Sequence, residues 1–163
     1  MKYDKINSEL FIKNRKNFVA KMKPNSVAFF NSNDIYPVSA DSTLPFEQQR
    51  DIFYLSGVDQ EESVLMLTTN SQNTKHKEVL FLKETSPHIA IWEGPKLDKE
   101  EAYETSGIET VLWLDEMEKT IDEVMLSCET IYYNHNEHYR AKVEIQTREE
   151  RFNKWIESKF KNK

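Results

Sequence analysis

The sequence predicts an α/β domain in which one mixed β-sheet is flanked by helices. Three observations predict it. The 163 residues suit a single domain, and 38% of them are hydrophobic and 12% aromatic, which supplies a core and argues against disorder. The middle of the chain contains neighbouring apolar segments with the pattern of strands. The last third alternates between helical and strand patterns.

The chain begins with a predicted helix and a predicted strand. Asn7 or Ser8 can cap the helix, and Pro24 ends it. The helix has one apolar face, formed by Phe11, Phe18, Val19 and Met22. Residues 26–30 predict a buried strand. Residues 31–50 are polar and without a period, and a loop of this length is typically functional or disordered.

The middle of the chain predicts three strands. Residues 51–57 form an apolar run that Gly57 stops. Residues 63–68 and 78–82 are also apolar, and the polar turn between them favours a hairpin. Together the three segments predict a β-meander.

The last third predicts helices and strands in alternation. Asp98 can cap a short helix that Gly107 ends, and residues 110–113 follow as a strand. Asp115 is expected to cap a second helix, before a final strand at residues 130–133. The apolar residues of that second helix are Leu114, Met117, Ile121, Val124 and Met125.

From about Val143 the chain is predicted to be a highly charged helix. Phe152, Trp155 and Ile156 fall on one side of it. We expect this apolar side to be covered by further protein, or to drive self-association where it is left exposed.

Charge and composition exclude several functions. The 28 acidic residues outnumber 22 basic ones, and the net charge of −6 argues against a general nucleic-acid binder. The charged start is unlike a signal peptide and no apolar run is long enough to span a membrane, so we expect a cytoplasmic protein without a membrane partner. The single cysteine, Cys128, excludes an internal disulfide and is expected to be a small buried hydrophobe. The glycines Gly57, Gly94 and Gly107 are too far apart for a phosphate-binding loop.

The residues that carry chemistry show no self-contained catalytic set. His135 and His138 are the only close pair of histidines, but they lack HExxH spacing, so a solvated loop is favoured over a metal site. No GxSxG nucleophile elbow occurs. The carboxylates are abundant, and their spacing does not select a metal-binding group.

Two segments remain as candidate functional loops. Asp41 lies in a polar stretch before Pro45 and is able to present a carboxylate, although an ordinary turn of the Asx type is favoured. Trp92 lies beside the turn-forming pair Gly94-Pro95. It is either an interface or ligand anchor, or a side chain folded back onto the core.

These segments carry a resemblance to a known family. The chain from Phe11 to Leu67 resembles the start of aminopeptidase P, the Xaa-Pro aminopeptidases of the creatinase-type metallopeptidases. The shared features are Arg15, Met22-x-Pro24-x-Ser26, Ser39-Ala40-Asp41-Ser42, Pro45, Gln48, Asp51, Phe53-Tyr54-Leu55, Gly57, Glu62 and Val64-Leu65-Met66-Leu67, then Ile91-Trp92-x-Gly94, Leu97 and Tyr132-Tyr133. Glu47 stands where the family usually has Arg and Ile52 where it usually has Phe, which calls any contact of that arginine into question.

The resemblance implies a fold and a division of labour. It implies that residues 1–163 are an N-terminal domain with a ribonuclease H-like motif, and that residues 145–163 are a helical linker toward a pita-bread catalytic domain absent from this chain. In the family that second domain holds two metal ions, usually manganese, through two Asp, one His and two Glu. A metal-bound hydroxide attacks the bond before proline. This domain would then hold no metal or cofactor, and should be inactive alone.

The resemblance also implies partners and site residues. The partners are the catalytic domain of the same chain, further copies in a dimer or tetramer, and a peptide with proline at its second position. By resemblance Asp41 lies near the catalytic centre of its own chain. Trp92 reaches toward the active site of a neighbouring subunit, and both wall the entrance.

Two alternatives stay open. One is a free-standing interaction domain that binds a partner through Trp92 or through the side of the last helix. The other is a ribonuclease H-like nuclease, which is disfavoured because residues 26–30 carry no acid.

Overall fold

The computed structural model of the chain describes residues 4–71, 73–136, 138 and 146–161. The strands are β1 (Ser26–Asn31), β2 (Pro37–Ser39), β3 (Ser42–Thr43), β4 (Val64–Thr68), β5 (Glu78–Leu82), β6 (Thr110–Trp113) and β7 (Thr130–Tyr133). The helices are α1 (Ser8–Val19), α2 (Arg50–Ser56), α3 (Pro87–Glu93), α4 (Lys99–Ser106), α5 (Met117–Met125) and α6 (Arg148–Lys159). Short 3-10 turns at Thr74–His76 and Leu114–Glu116 precede β5 and α5.

Five strands form one mixed sheet in the order β6-β5-β4-β1-β7. β4 is antiparallel to both of its neighbours, whereas β1 is parallel to β7 and β5 is parallel to β6. Four of the five strands therefore run in the same direction. The predicted α/β fold with a mixed sheet is confirmed.

The sheet separates two apolar layers because successive side chains of a strand point to opposite faces. Phe29, Met66 and Phe81 lie in the first layer, under α5 and α6. Leu65 and Leu80 lie in the second layer, with the apolar residues of α2 and α4 and with partly buried residues of α1. Every residue of β1 and β4 is buried, which explains why residues 27–30 and 64–67 of these strands are continuous apolar runs.

Several predicted elements are confirmed together with their end signals. The Asn7 side chain caps α1 by accepting a hydrogen bond from the Glu9 backbone N–H at 2.9 Å. The Asp98 side chain caps α4, and Gly107 ends it with φ +70°. The predicted hairpin of β4 and β5 is also present.

Residues 51–57 are a helix rather than the predicted strand. The Gln49 side chain caps α2 by accepting from the backbone N–H of Asp51 and Ile52. The buried residues of α2 are Ile52, Leu55 and Ser56, which is helical spacing. Four apolar residues in a row are compatible with a strand or with a helix. The strand prediction is wrong because the buried residues follow the helical period and not the alternation of a strand.

Gly57 ends α2 at a close contact with α1, and replacing it by alanine is expected to destabilise the protein. Its φ is +72°, and a Cβ there would lie 2.3 Å from Cε2 of Phe11. Strain in the left-handed region and the overlap with the ring together predict a loss of about 2–3 kcal/mol in unfolding free energy. Urea unfolding of Gly57→Ala measures this loss.

The control for this prediction is a double-mutant cycle with Phe11→Leu. A smaller side chain at position 11 removes the overlap, so Gly57→Ala should cost less in that background. An equal cost in both backgrounds would mean that the overlap is not the cause.

The start of α5 differs from the expectation. Asp115 lies within the 3-10 turn rather than at the cap, and the N-cap residue Glu116 makes no side-chain cap bond to α5. The Glu116 carboxylate instead accepts a hydrogen bond from the Trp113 backbone N–H at 3.1 Å. Because the turn continues directly into α5, the capping interaction is made one turn earlier.

The last helix lies on the domain's own sheet, and the expectation of an exposed apolar side is wrong. Phe152 and Ile156 are buried in the first layer, and Trp155 packs against it. The Phe152 ring lies 5.3 Å from the Phe29 ring, measured between centroids. The helix begins at Arg148 after the capping residue Thr147, and the predicted start near Val143 lies outside the described residues.

Arg15 joins three distant parts of the chain from a fully buried position on α1. Its Nη1 donates to the backbone carbonyls of Leu55 and Ser106, each at 2.9 Å. Its Nε donates to the Glu78 carboxylate at 2.8 Å. The ends of α2 and α4 and the start of β5 are thus held by one guanidinium group.

Cys128 is buried, as predicted, and its thiol lies 3.2 Å from the Thr130 carbonyl oxygen. Within the described ranges, no helix has the length and apolar character needed to cross a membrane.

Candidate functional site

The sheet topology brings several connecting segments to one edge. β1, β5, β6 and β7 run in the same direction, so their carboxyl ends lie at the same edge of the sheet. β4 begins at the same edge, where the Ser32 backbone N–H donates a hydrogen bond to the Ser63 carbonyl at 2.9 Å. We call this the carboxyl edge. Ligands of open α/β sheets bind at such an edge.

A hairpin arm follows β1 at the carboxyl edge and carries Asp41. β2 and β3 form it, and Ala40 and Asp41 make its turn, with φ +51° at Ala40. Every residue from 35 to 45 is exposed, including the large apolar side chains of Ile35, Tyr36, Val38 and Leu44. The arm presents a carboxylate with apolar neighbours away from the core.

α3 follows β5 at the same edge and carries Trp92. The expected loop is a short helix, because Ser86 caps it by accepting from the Ile89 N–H and Pro87 occupies its first turn. No residue of α3 is buried, and the side chain of Trp92 is 82% exposed. Of the two interpretations of Trp92, the side chain folded back onto the core is therefore wrong.

A third feature of this edge is an aromatic groove of about 410 Å³. It is lined by Phe18, Phe29, Phe30, Asp51, Tyr54, Leu55, Tyr132, Tyr133 and Asn134. Asn134 donates to the Asp51 carboxylate at 2.6 Å. Tyr133 donates to Glu157 at 2.6 Å, and this hydrogen bond is the main reason why the pKa of Tyr133 is raised.

The sequence did not predict this groove, because it combines α1, β1, α2 and β7. The strand predicted over residues 51–57 does not bring Asp51 and Tyr54 to this groove, whereas α2 does. The available signal was Gly57, since a glycine directly after a helix is a common C-terminal signal.

Glu149 lies at the start of α6, near His135. Burial raises the pKa of its carboxyl, and a hydrogen bond from the Asn136 backbone N–H at 3.1 Å opposes this shift. The folded state therefore holds the proton more tightly than the unfolded chain. Glu149 contributes stability below its ordinary pKa of 4.5, and loses it as the pH rises through the raised value.

Replacing Glu149 by glutamine is expected to raise the melting temperature at pH 7. The amide keeps an oxygen for the Asn136 N–H but has no charge to desolvate. The gain should vanish toward pH 4, where the wild-type carboxyl is protonated. The control is Glu100→Gln, since Glu100 occupies the same helical position in α4 and is exposed. A melting temperature that changes equally in both variants would contradict the burial argument.

The histidine pair shows no metal site in the part of the chain that is described. His135 and His138 are exposed, and Glu137 between them lies outside the described residues. Over residues 4–71, 73–136, 138 and 146–161, no three His, Cys, Asp or Glu side chains converge as a metal-binding group.

Ile52 and Glu47, the two positions that depart from the family pattern, lie in different surroundings. Ile52 is fully buried in the second layer, so it fills the place of an apolar residue. Glu47 is exposed, and its backbone carbonyl accepts a hydrogen bond from Asn33. Gln48 donates to the carbonyls of Val58 and Gln60, and so fixes the loop before β4.

Comparison with known proteins gives one family. The model of the aminopeptidase P N-terminal domain matches residues 11–132. The Xaa-Pro aminopeptidase of Escherichia coli K12 is 28% identical over 149 residues, which are 91% of this chain and 34% of that protein. Human Xaa-Pro aminopeptidase 3 is 26% identical over 105 residues, which are 63% of this chain and 21% of that protein. The chain thus spans about a third or less of these relatives.

Solved structures agree with the fold. The low-pH form of E. coli aminopeptidase P has a TM-score of 0.71 and 26% identity, over 85% of this chain and 31% of that chain. A Bacillus anthracis protein assigned as an aminopeptidase P has a TM-score of 0.82 and 23% identity, over 96% of this chain and 37% of that one. The E. coli enzyme is also known in a zinc-substituted form in complex with product, with a TM-score of 0.71.

Proposed function

Since the chain belongs to the aminopeptidase P N-terminal domain family, we propose that it is the non-catalytic N-terminal domain of a metal-dependent Xaa-Pro aminopeptidase. The observation that carries the proposal is the match of residues 11–132 to the N-terminal domain, in a chain that spans only about a third of relatives named Xaa-Pro aminopeptidases. The zinc-substituted relative supports a metal-dependent reaction. The metal ions, which we take to be two manganese ions, belong to the catalytic part.

The role proposed for the domain is to shape the entrance of the active site. Asp41 lies on the exposed hairpin arm and Trp92 on the exposed helix α3, both at the carboxyl edge of the sheet. A carboxylate at the mouth of a site orients a polar or cationic group of the substrate, and an aromatic face packs well against a proline ring. Asp41 would line the entrance of its own chain's active site and Trp92 that of a neighbouring subunit, and each would narrow the entrance and exclude folded peptides.

The proposal includes assembly. Trp92 and Ile91 are exposed by 82% and 73%, which suits contact with another subunit. We therefore propose a homodimer or homotetramer in which Trp92 reaches the neighbour's active site. A cytoplasmic location remains a prediction.

The experiment is a peptidase assay on the native polypeptide, captured from source cells with antibody to this chain. We expect it to release the first residue from peptides with proline at the second position, and a chelator should abolish the release. The 163-residue chain alone should release nothing. Captured polypeptide that is inactive with added manganese would contradict the proposal.

A second candidate is a free-standing interaction domain. The exposed Ile91 and Trp92 favour it, and would anchor a partner. The side of the last helix does not, because Phe152 and Ile156 are buried.

A further inference from the structure

We propose that a chain of ion pairs fixes the orientation of α3, so that Lys83 and Lys96 are positioning residues for Trp92. The effect of this device on catalysis rests on the proposed function. Its effect on the position of Trp92 rests on the geometry of α3 alone.

Apolar packing restrains α3 only weakly. The helix has no buried residue, and Ile89 and Ala90 are only partly covered. Gly94 follows it with φ +78° and ψ 170°, a conformation that is essentially restricted to glycine. Neither apolar layer includes a residue of α3, so a helix that is followed by such a glycine needs another restraint to hold one orientation.

Alternating charges supply this restraint. The Glu93 carboxylate lies 2.8 Å from Lys83 Nζ, and Lys83 Nζ lies 3.2 Å from the carboxylate of Glu62. Lys96 Nζ contacts the Glu61 carboxylate and lies 3.9 Å from that of Glu93. The charges form the series Glu61, Lys96, Glu93, Lys83, Glu62. Glu93 is the last residue of α3 and directly follows Trp92 in the chain.

Both ends of the series, Glu61 and Glu62, lie on a fixed part of the molecule. Gln60 is buried, and its carbonyl accepts a hydrogen bond from Gln48 at 2.9 Å. Its side-chain oxygen accepts from the Leu97 N–H at 2.7 Å. Ser63 donates its N–H to the Ser32 hydroxyl at 3.1 Å. Glu61 and Glu62 lie between these anchored residues, so they hold Glu93 against a rigid loop.

The electrostatics agree with this geometry. The hydrogen bond with Glu93 raises the pKa of Lys83, and the same bond lowers the pKa of Glu93. Both groups are therefore charged at neutral pH. The Lys96 side chain is only 8% exposed, so its pair with Glu61 is less screened by salt than a surface pair.

Stability does not account for the two ion pairs of Lys83. They are partly exposed, and such pairs contribute little to the free energy of unfolding, since water and salt screen them. Their effect on orientation is larger, because a short helix without a fully buried residue is restrained mainly by these ion pairs. Neutralising Lys83 should therefore move Trp92 while the fold stays intact.

The test is ¹⁹F NMR of the 163-residue chain labelled with 5-fluorotryptophan. The protein has three tryptophans, and Trp92→Phe identifies the Trp92 line by its loss. Salt is raised from about 10 mM to about 1 M, which shortens the Debye length from roughly 30 Å to roughly 3 Å. We expect the wild-type Trp92 line to shift with salt. Lys83→Met should already show the high-salt shift at low salt.

Two further variants make the test specific. Lys83→Arg keeps the charge and should restore the wild-type line. Lys5→Met removes an exposed ion pair with Glu104 elsewhere on the surface, and should leave the line unchanged. The proposal is overturned if Lys83→Met has the wild-type line at low salt, or if Lys5→Met shifts it equally.

The catalytic consequence is read from the native, full-length polypeptide. Lys83→Met should lower kcat/KM for Xaa-Pro peptides about 5-fold, and should cause no further loss in a Trp92→Ala background. An equal loss in both backgrounds contradicts action through Trp92. If the polypeptide cleaves no Xaa-Pro peptide, the proposed function fails, while the ¹⁹F result still decides whether the ion pairs position α3.

Discussion

Replacing Arg15 by methionine is expected to lower the free energy of unfolding by about 3–5 kcal/mol, because one partner of a buried charge network is removed. The methionine leaves the carbonyls of Leu55 and Ser106 without their donor. It also leaves the Glu78 carboxylate, which is one-third exposed, without its counter-charge. Each unpaired group costs free energy, since a buried acceptor loses water without gaining a partner. Urea unfolding followed by far-UV circular dichroism measures the loss.

Three further variants separate the causes. Arg15→Lys keeps the charge but lacks the planar fork, so an intermediate loss is expected. Adding Glu78→Gln to Arg15→Met should recover part of the loss, because it removes the uncompensated carboxylate. Lys16→Met on the exposed side of α1 should change stability by less than about 0.5 kcal/mol. Equal stability of Arg15→Met and Lys16→Met would show that Arg15 does not hold the helices.

Replacing Trp92 by alanine in the native polypeptide is expected to lower kcat/KM for Xaa-Pro peptides by about 5- to 30-fold, which corresponds to one or two kcal/mol. Asp41→Asn should have an effect of similar size, because it removes the carboxylate at the entrance. Both side chains are exposed, so unfolding should change by no more than about 0.5 kcal/mol. Steady-state peptide hydrolysis and thermal unfolding of the same samples measure the two quantities.

The matched control is Leu126→Ala. Leu126 is 83% exposed, much like Trp92, but it follows α5 and precedes β7, at the opposite edge of the sheet. Its loss should leave hydrolysis unchanged. If Trp92→Ala and Asp41→Asn cleave Xaa-Pro peptides like the wild type, the entrance roles proposed for these residues are wrong.

Most of the sheet was predictable because its signals are local. Residues 27–30 of β1 and 64–67 of β4 are continuous apolar runs, and Asn7, Asp98 and Gly107 mark the ends of α1 and α4. The helix over residues 51–57 was harder to predict, because its apolar run is short and its N-cap is Gln49, which is not among the preferred capping residues.

Other features depend on contacts that no local pattern shows. No pattern within α1 shows that Arg15 is buried, because its hydrogen-bond partners lie 40, 63 and 91 residues further along the chain. The last helix is amphipathic, but the sequence does not say which surface its apolar side covers. The structure places Phe152 on the first layer of the core. The aromatic groove likewise draws its walls from separate segments of the chain.

The size of the native polypeptide decides whether this domain is part of a larger peptidase. An immunoblot of source-cell lysate with antiserum to this chain reports it. We expect a band well above 19.3 kDa, because the domain would be joined to a catalytic part in the same polypeptide. A single band at 19.3 kDa would mean that no catalytic part is joined to this domain, and the interaction domain that binds a partner through Trp92 would then be favoured.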